Sequence, residues 1–156
     1  MSHVRAQIRD AAAADLTGLP TTGARVVPSR VFPPGAADHA PALGVYALGE
    51  GLEADGVDMA GTLVPRVLDL GIEIRVPHGP AWDDTIDQAA AEVEAALWAS
   101  VYGAGAGGAL RALVSALEYQ GAEIDLGDVD QPYAAALLTF SVWYVTAADD
   151  PESTGG

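Results

Sequence analysis

Residues 68–76 read Leu68-Asp-Leu-Gly-Ile-Glu-Ile-Arg-Val76 (LDLGIEIRV), the clearest strand pattern in the chain. Every second residue is a large apolar one, and the residues between them are polar or small. This two-residue period is typical of a strand that buries one face. Pro77 and Pro80 close the segment. The pattern predicts a strand that packs on helices with one face and meets water or a neighbouring molecule with the other.

Segments before and after this strand in the sequence have apolar residues three and four positions apart, which is the period of a helix. Ser2 is the candidate cap of the first helix, and Gly121 is the candidate stop of the last one. The predicted helices are Val4–Leu16, a helix capped by Asp83 or Asp84 that runs to about Val101, and Ala109–Leu117.

Four further segments have strand character: Ala24–Phe32, Ala42–Glu50, Ala122–Leu126 and Tyr133–Thr146. Pro28 interrupts the first of them and so favours an edge position, because proline donates no ladder hydrogen bond. The order predicts a single α+β domain, with a mixed or antiparallel sheet and helices packed mainly on one face. We expect this domain to span 1–147 and the acidic segment 148–156 to be a disordered tail.

The last strand is apolar on both faces. Phe140 and Tyr144 share one face, whereas Trp143 lies on the other together with Leu137 and Val145. If one layer of helices covers the first face, a neighbouring subunit or a second internal layer has to cover the other.

Composition excludes several classes of chemistry. The 156 residues contain no cysteine, and all seven basic residues are arginine, against 22 acidic residues and a net charge of −15. Thiolate nucleophiles, cysteine-bound metals and catalytic or phosphate-binding lysines are therefore ruled out. Such a charge repels nucleic-acid phosphates. The sequence has no apolar run of the roughly 20 residues that a membrane span needs.

The run Gly103–Gly108 (GAGAGG) has the lettering G-x-G-x-x-G, and Asp125 follows at the distance of a ribose-binding acid. A dinucleotide site, however, needs a buried strand before the first glycine, and the preceding residues are helical. We therefore interpret the run as a flexible joint between two helices, with a nucleotide-binding enzyme as the remote alternative.

Other acid and histidine patterns match no known site. The acids Asp125, Asp128 and Asp130 miss the spacing of a calcium loop, and the three histidines lie in different segments. We expect no enzymatic activity, no cofactor and no metal.

Arginine is scarce, so its positions are informative. One interpretation pairs these residues with the chain's own acids. The other places a basic sheet edge against an acidic loop of the next subunit, a head-to-tail contact that can close into a ring. The candidate interface residues are Arg25, Arg30, Arg66, Arg75, Glu50, Glu53, Asp55 and Asp58.

Several sequence segments, and the order in which they occur, resemble the tail terminator proteins of long-tailed phages, the minor tail protein U family of lambda-like phages. The resemblance covers nearly all of the chain before its acidic tail. The segments are TGARVVPSRVFP (Thr22–Pro33), PALGVYALGE with its acidic loop (Pro41–Asp58), LDLGIEIRVP (Leu68–Pro77), DDTIDQAAAEVEAAL (Asp83–Leu97) and DQPYAAALLTFSVWYVT (Asp130–Thr146).

The resemblance implies a virion protein, assembled in the host cytoplasm, that forms a hexameric ring on the finished tail tube. Such a ring stops tube polymerisation and offers the surface for head joining. Its partners would be other copies of itself, the tail tube protein and a head–tail connector or stopper protein, and DNA would pass through the lumen without specific binding. It implies no catalytic residue. Another connector component, a stopper or adaptor, is the alternative.

Overall fold

The two longest strands, β3 (Leu63–Pro77) and β5 (Tyr133–Ala147), form the centre of the sheet and pair antiparallel along their whole length. The structure is a computed structural model that describes residues 2–29, 40–53, 61–105, 107–125 and 133–155. β2 (Ala42–Leu52) and β4 (Ala116–Asp125) flank this pair antiparallel, and β1 (Val26–Val27) joins β2 in parallel. The strand order β1-β2-β3-β5-β4 confirms the predicted α+β fold with a mixed sheet.

Both long helices, α1 (Val4–Leu16) and α2 (Trp82–Tyr102), pack on the same face of the sheet, here called the inner face. The alternating residues of β3 supply this face, as their pattern predicts, and they pair across the strands with Val142, Phe140 and Leu138 of β5. Burial of such side chains is the main favourable contribution to folding. The outer face carries no second layer in the described part of the chain.

The prediction of a helix over Ala109–Leu117 is wrong. A single 3₁₀ turn, Ala109–Ala112, is followed at Ala116 by β4. Two contacts draw this segment into the sheet: the Ser115 backbone N–H donates to the Trp143 carbonyl at 2.8 Å, and Leu117 is buried on the inner face. Tertiary pairing has therefore overridden a local helical period. β4 also starts six residues earlier than the strand predicted from Ala122.

Smaller differences concern caps and edges. The N-cap of α1 is His3 rather than Ser2, and α2 begins at Trp82 without a side-chain cap, so that Asp83 and Asp84 lie in its first turn. Of the segment predicted as an edge strand, only Val26–Val27 pairs, and it does lie at a sheet edge. The remainder from 30 onward lies outside the described residues.

The acidic segment after β5, expected from its composition to be a disordered tail, contacts the start of α1 in the structure. The Pro151 carbonyl accepts the Val4 backbone N–H at 3.0 Å, and the Glu152 carbonyl accepts from the Gln7 side chain at 2.8 Å. Gly155 N–H donates to the Val145 carbonyl. The bond from Val4 satisfies one backbone donor in the first turn of the helix, which composition alone does not indicate.

His3 makes the start of α1 sensitive to pH. Its Nδ1 accepts the Arg5 backbone N–H at 3.1 Å, and burial, helped by the Arg5 charge, lowers the pKa of this imidazole. The neutral form is thus favoured on folding. The stability that it contributes is complete above the ordinary value of about 6.5 and is lost as the pH falls through the lowered pKa.

We expect His3→Asn to flatten this part of the pH profile, because asparagine caps a helix without titrating. Melting temperatures of both proteins between pH 7.5 and 5.5 test this. The wild type should lose more than the variant on acidification, whereas parallel profiles would show that His3 is not a titrating cap.

Candidate functional site

Glu50 and Arg66, two of the residues selected from the sequence, meet each other on the inner face. Glu50 Oε2 accepts from Arg66 Nη1 at 3.0 Å and from Arg5 Nη1 at 3.3 Å, and Arg66 Nε donates to Thr146 Oγ1 at 3.1 Å. The buried Tyr144 hydroxyl donates to Glu50 Oε1. Burial, then the hydrogen bond and charge of Glu50, raise the pKa of Tyr144. The cluster ties α1, β2, β3 and β5 together within one chain.

Arg75 also has partners inside the chain. Its Nε donates to Glu73 Oε2 at 3.2 Å, and its guanidinium lies 4.6 Å from the centre of the Tyr133 ring. This cation–π contact and ion pair lie at one end of the outer face. For Arg66 and Arg75 the contacts within one chain match the interpretation in which arginines pair with the chain's own acids.

Arg25 differs because its hydrogen bonds to other described residues go to carbonyl oxygens. Its Nε donates to the Pro41 carbonyl at 2.7 Å and its Nη2 to the Thr21 carbonyl at 3.2 Å, and no carboxylate among the described residues pairs with it. The side chain is exposed beside β1. Glu53 follows the end of β2, and its backbone N–H donates to the Pro65 carbonyl. The remaining candidates, Arg30, Asp55 and Asp58, lie outside the described residues.

The two residues directly after the glycine run bind an anion through their backbone, and the anion is a carboxylate of the chain itself. Asp15, at the end of α1, accepts the backbone N–H groups of Ala109 at 2.8 Å and Leu110 at 2.9 Å, together with the Ser100 hydroxyl. These N–H groups begin the 3₁₀ turn, as they would in a phosphate loop. Asp15 thus occupies the position that a phosphate would need, and sequence spacing gave no sign of this pairing.

Arg111 fixes the other side of the same turn. Its Nη1 donates to the carbonyls of Gly103 at 3.2 Å and Gly105 at 3.3 Å. Gly105 and Gly107 have positive φ angles of 101° and 70°, a conformation that favours glycine. The interpretation as a joint between two helices is therefore wrong in its second helix: the run leads from α2 into a 3₁₀ turn and then β4, with side-chain contacts on both sides.

The outer face of the sheet has an apolar centre with acidic residues around it. A bulge in β2 after Ala47 brings Leu48 beside Leu137 of β5, and the two side chains approach each other over Gly71 of β3. A Cβ at Gly71 would lie 3.1 Å and 3.2 Å from these side chains, so glycine allows their contact. They line part of a shallow depression of about 500 Å³.

Acidic side chains surround this centre. On β3, Asp69 accepts from the Ser141 hydroxyl at 3.3 Å, and Glu73 carries the ion pair with Arg75. Glu118 and Glu123 of β4 lie on the same face, because their partners Ser141 and Leu137 do. An apolar centre with a polar rim is typical of a surface that binds another macromolecule.

The opposite side of β4 forms a second exposed surface, which we call the α2–β4 face. It consists of exposed aromatic and apolar side chains with carboxylates beside them, and a groove of about 310 Å³ runs between the helix and the strand. Its members are Trp98, Tyr102, Tyr119, Ile124, Asp87 and Glu94. Burial, and then the charge and hydrogen bond of Glu94, raise the pKa of Tyr119.

Two other kinds of feature are absent from the described residues. No helix there has the length and apolarity to span a bilayer. Nor do three or more histidine, aspartate or glutamate side chains come together there as metal ligands.

Comparisons with known proteins find similarity among solved structures. No protein-family model matches the chain, and no curated protein does. Among solved structures, a chain of the "Virion of native gene transfer agent (GTA) particle" is 23% identical, with 90% of each chain covered and a TM-score of 0.48. The function therefore has to be inferred from the residues of this chain.

Proposed function

We propose that this chain is a structural virion protein, the tail terminator of a phage-type tail. Six copies close into a ring that caps the tail tube, stops its polymerisation and presents the surface to which the head joins. The observation that carries the proposal is the outer face, which no described element covers and where Leu48, Leu137 and the half-buried Trp143 lie among acids. A face of this kind supports binding to large flat partners. The sequence segments that resemble those of tail terminators favour a terminator ring over other kinds of assembly.

The charge supports passage of DNA through such a ring. Six chains of net charge −15 would surround the lumen with negative potential, and like charge disfavours contact with phosphates. The ring would let DNA slide rather than bind it.

Electron microscopy of tail tubes incubated with the chain tests this proposal. We expect a ring at one end of each tube and none along its length. Leu137→Glu should reduce end binding at least tenfold, because it puts a charge into the apolar centre of the outer face. Leu52→Glu is the matched control, since Leu52 is 71% exposed and pairs with Arg66 on the other side of the sheet.

Three results would contradict the proposal. The chain could leave tube ends bare, bind in a separate layer on the head side as a stopper or adaptor does, or cap tubes equally well with Leu137→Glu. The second result would favour the connector alternative.

A further inference from the structure

We propose that the α2–β4 face of one copy binds the Arg25 edge of the next copy, defined as β1 with Arg25. This inference rests on the proposed function, because it specifies the contact through which the ring closes. It is an alternative to the contact with the acidic stretch Glu50–Asp58 that the sequence analysis considered, of which Glu50 binds Arg5 and Arg66 within the chain.

Exposed apolar surface is concentrated on the α2–β4 face. Seven large hydrophobic side chains are exposed in the described part of the chain, and four of them belong to this face: Trp98, Tyr102, Tyr119 and Ile124. The tilted rings of Trp98 and Tyr102 have centres 5.6 Å apart, and those of Tyr119 and Phe140 have centres 5.2 Å apart. Clustered exposed aromatics mark a binding surface, and aromatic residues are enriched in protein interfaces.

β4 is also an open sheet edge. It pairs with β5 on one side only, and no described strand lies on the other side. Near its start, the Tyr102 hydroxyl accepts the Leu117 N–H at 2.8 Å and donates to the Leu117 carbonyl at 3.1 Å. Tyr102 thus covers one residue of the edge, and no described strand pairs with the edge beyond it, which leaves a template for a partner.

Charge decides which partner fits. Asp87 and Glu94 border the groove, and Glu118 and Glu123 lie on the outer side of the same edge strand. No arginine forms an ion pair with these four acids within the described chain. Two α2–β4 faces brought together would oppose Asp87 and Glu94 of one copy to those of the other, which is costly. The partner surface must therefore be basic.

The Arg25 edge meets this requirement. Residues 16–37 contain no acid and two arginines, and Arg25 is exposed without a carboxylate partner among the described residues. Val26 and Val27 supply half-buried apolar surface beside it. β1 and β4 are opposite edges of the sheet, so the contact is head-to-tail. Contacts of that type close into rings or extend into filaments.

Charge reversal tests the contact in a way that separates it from the proposed function. The ring of wild-type chains, formed at high concentration or on tube protein, is measured by sedimentation velocity. We expect Arg25→Glu and Asp87→Arg each to weaken assembly at least tenfold while the monomer stays folded by circular dichroism. Asp149→Arg is the control. It changes the charge by the same amount as Asp87→Arg, but it lies in the exposed C-terminal segment, and it should assemble like the wild type.

Mixing the two incompetent variants gives the most specific result. In a head-to-tail ring that alternates them, one contact keeps the original Arg25 and Asp87, and the next contact has both of these charges reversed, so opposite charges meet at each. We expect the equimolar mixture, and the double variant alone, to recover rings. Full assembly by either single variant, or no recovery on mixing, would overturn this inference and leave the proposed function standing. A wild type that forms no ring even on tube protein would overturn both.

Discussion

Glu50→Ala is expected to lower the free energy of unfolding by about 2–4 kcal/mol, because it leaves a partly buried guanidinium and a buried hydroxyl without their acceptor. Arg66 is only 18% exposed and Tyr144 is fully enclosed, so water replaces the lost carboxylate poorly. The measurement is chemical denaturation near neutral pH.

Two variants of the same cluster serve as controls. Arg5→Ala removes an arginine that is 46% exposed, and we expect a loss of at most about 1 kcal/mol. Tyr144→Phe removes one hydrogen bond but keeps both ion pairs, and about 1 kcal/mol is expected. If Glu50→Ala unfolded at the wild-type denaturant concentration, the cluster would not be the tie between α1 and the sheet that the structure indicates.

Gly108→Ala is expected to cost about 2–3 kcal/mol, because the new Cβ collides with the Asp15 carboxylate and the Ser100 hydroxyl. The turn must then open, which combines overpacking with loss of a helix cap. The backbone of Gly108 is extended and would itself accept alanine. The effect thus reports on Asp15 rather than on glycine flexibility.

Gly79→Ala is the matched control, since a Cβ there meets nothing within 4 Å, and its effect should stay within about 0.5 kcal/mol. Asp15→Ala should cost about 1–2 kcal/mol by removing the cap without adding volume. Equal stability of Gly108→Ala and Gly79→Ala would contradict the contact between Asp15 and the turn.

The two central strands were predictable from local pattern. Leu68–Val76 alternates apolar with polar or small residues, whereas Tyr133–Thr146 is a long segment that is apolar on both faces. Leu110–Leu117 has a helical period over too few residues to decide its structure. The segment is bonded instead to Trp143 of β5 and Tyr102 of α2, which are far from it in the sequence. Local pattern cannot specify a strand that is fixed by such contacts.

The candidate interface was less predictable, because sequence does not show which acid each arginine meets. Arg66 and Glu50 are sixteen residues apart and come together only because β2 pairs with β3. The α2–β4 face has a weak sequence signal, the aromatic pair Trp98 and Tyr102 at helical spacing, but its exposure depends on the absence of a helix over β4 in the described chain. The strand order supplies that information.

The most direct test of the proposed role is the length of tail tubes grown from purified tube protein with increasing amounts of this chain. A terminator should shorten the mean tube length in proportion to its concentration, and each arrested tube should carry one ring at its end. Tubes of unchanged length at saturating concentration of the chain, with no density at their ends, would contradict the proposal that it terminates tube growth.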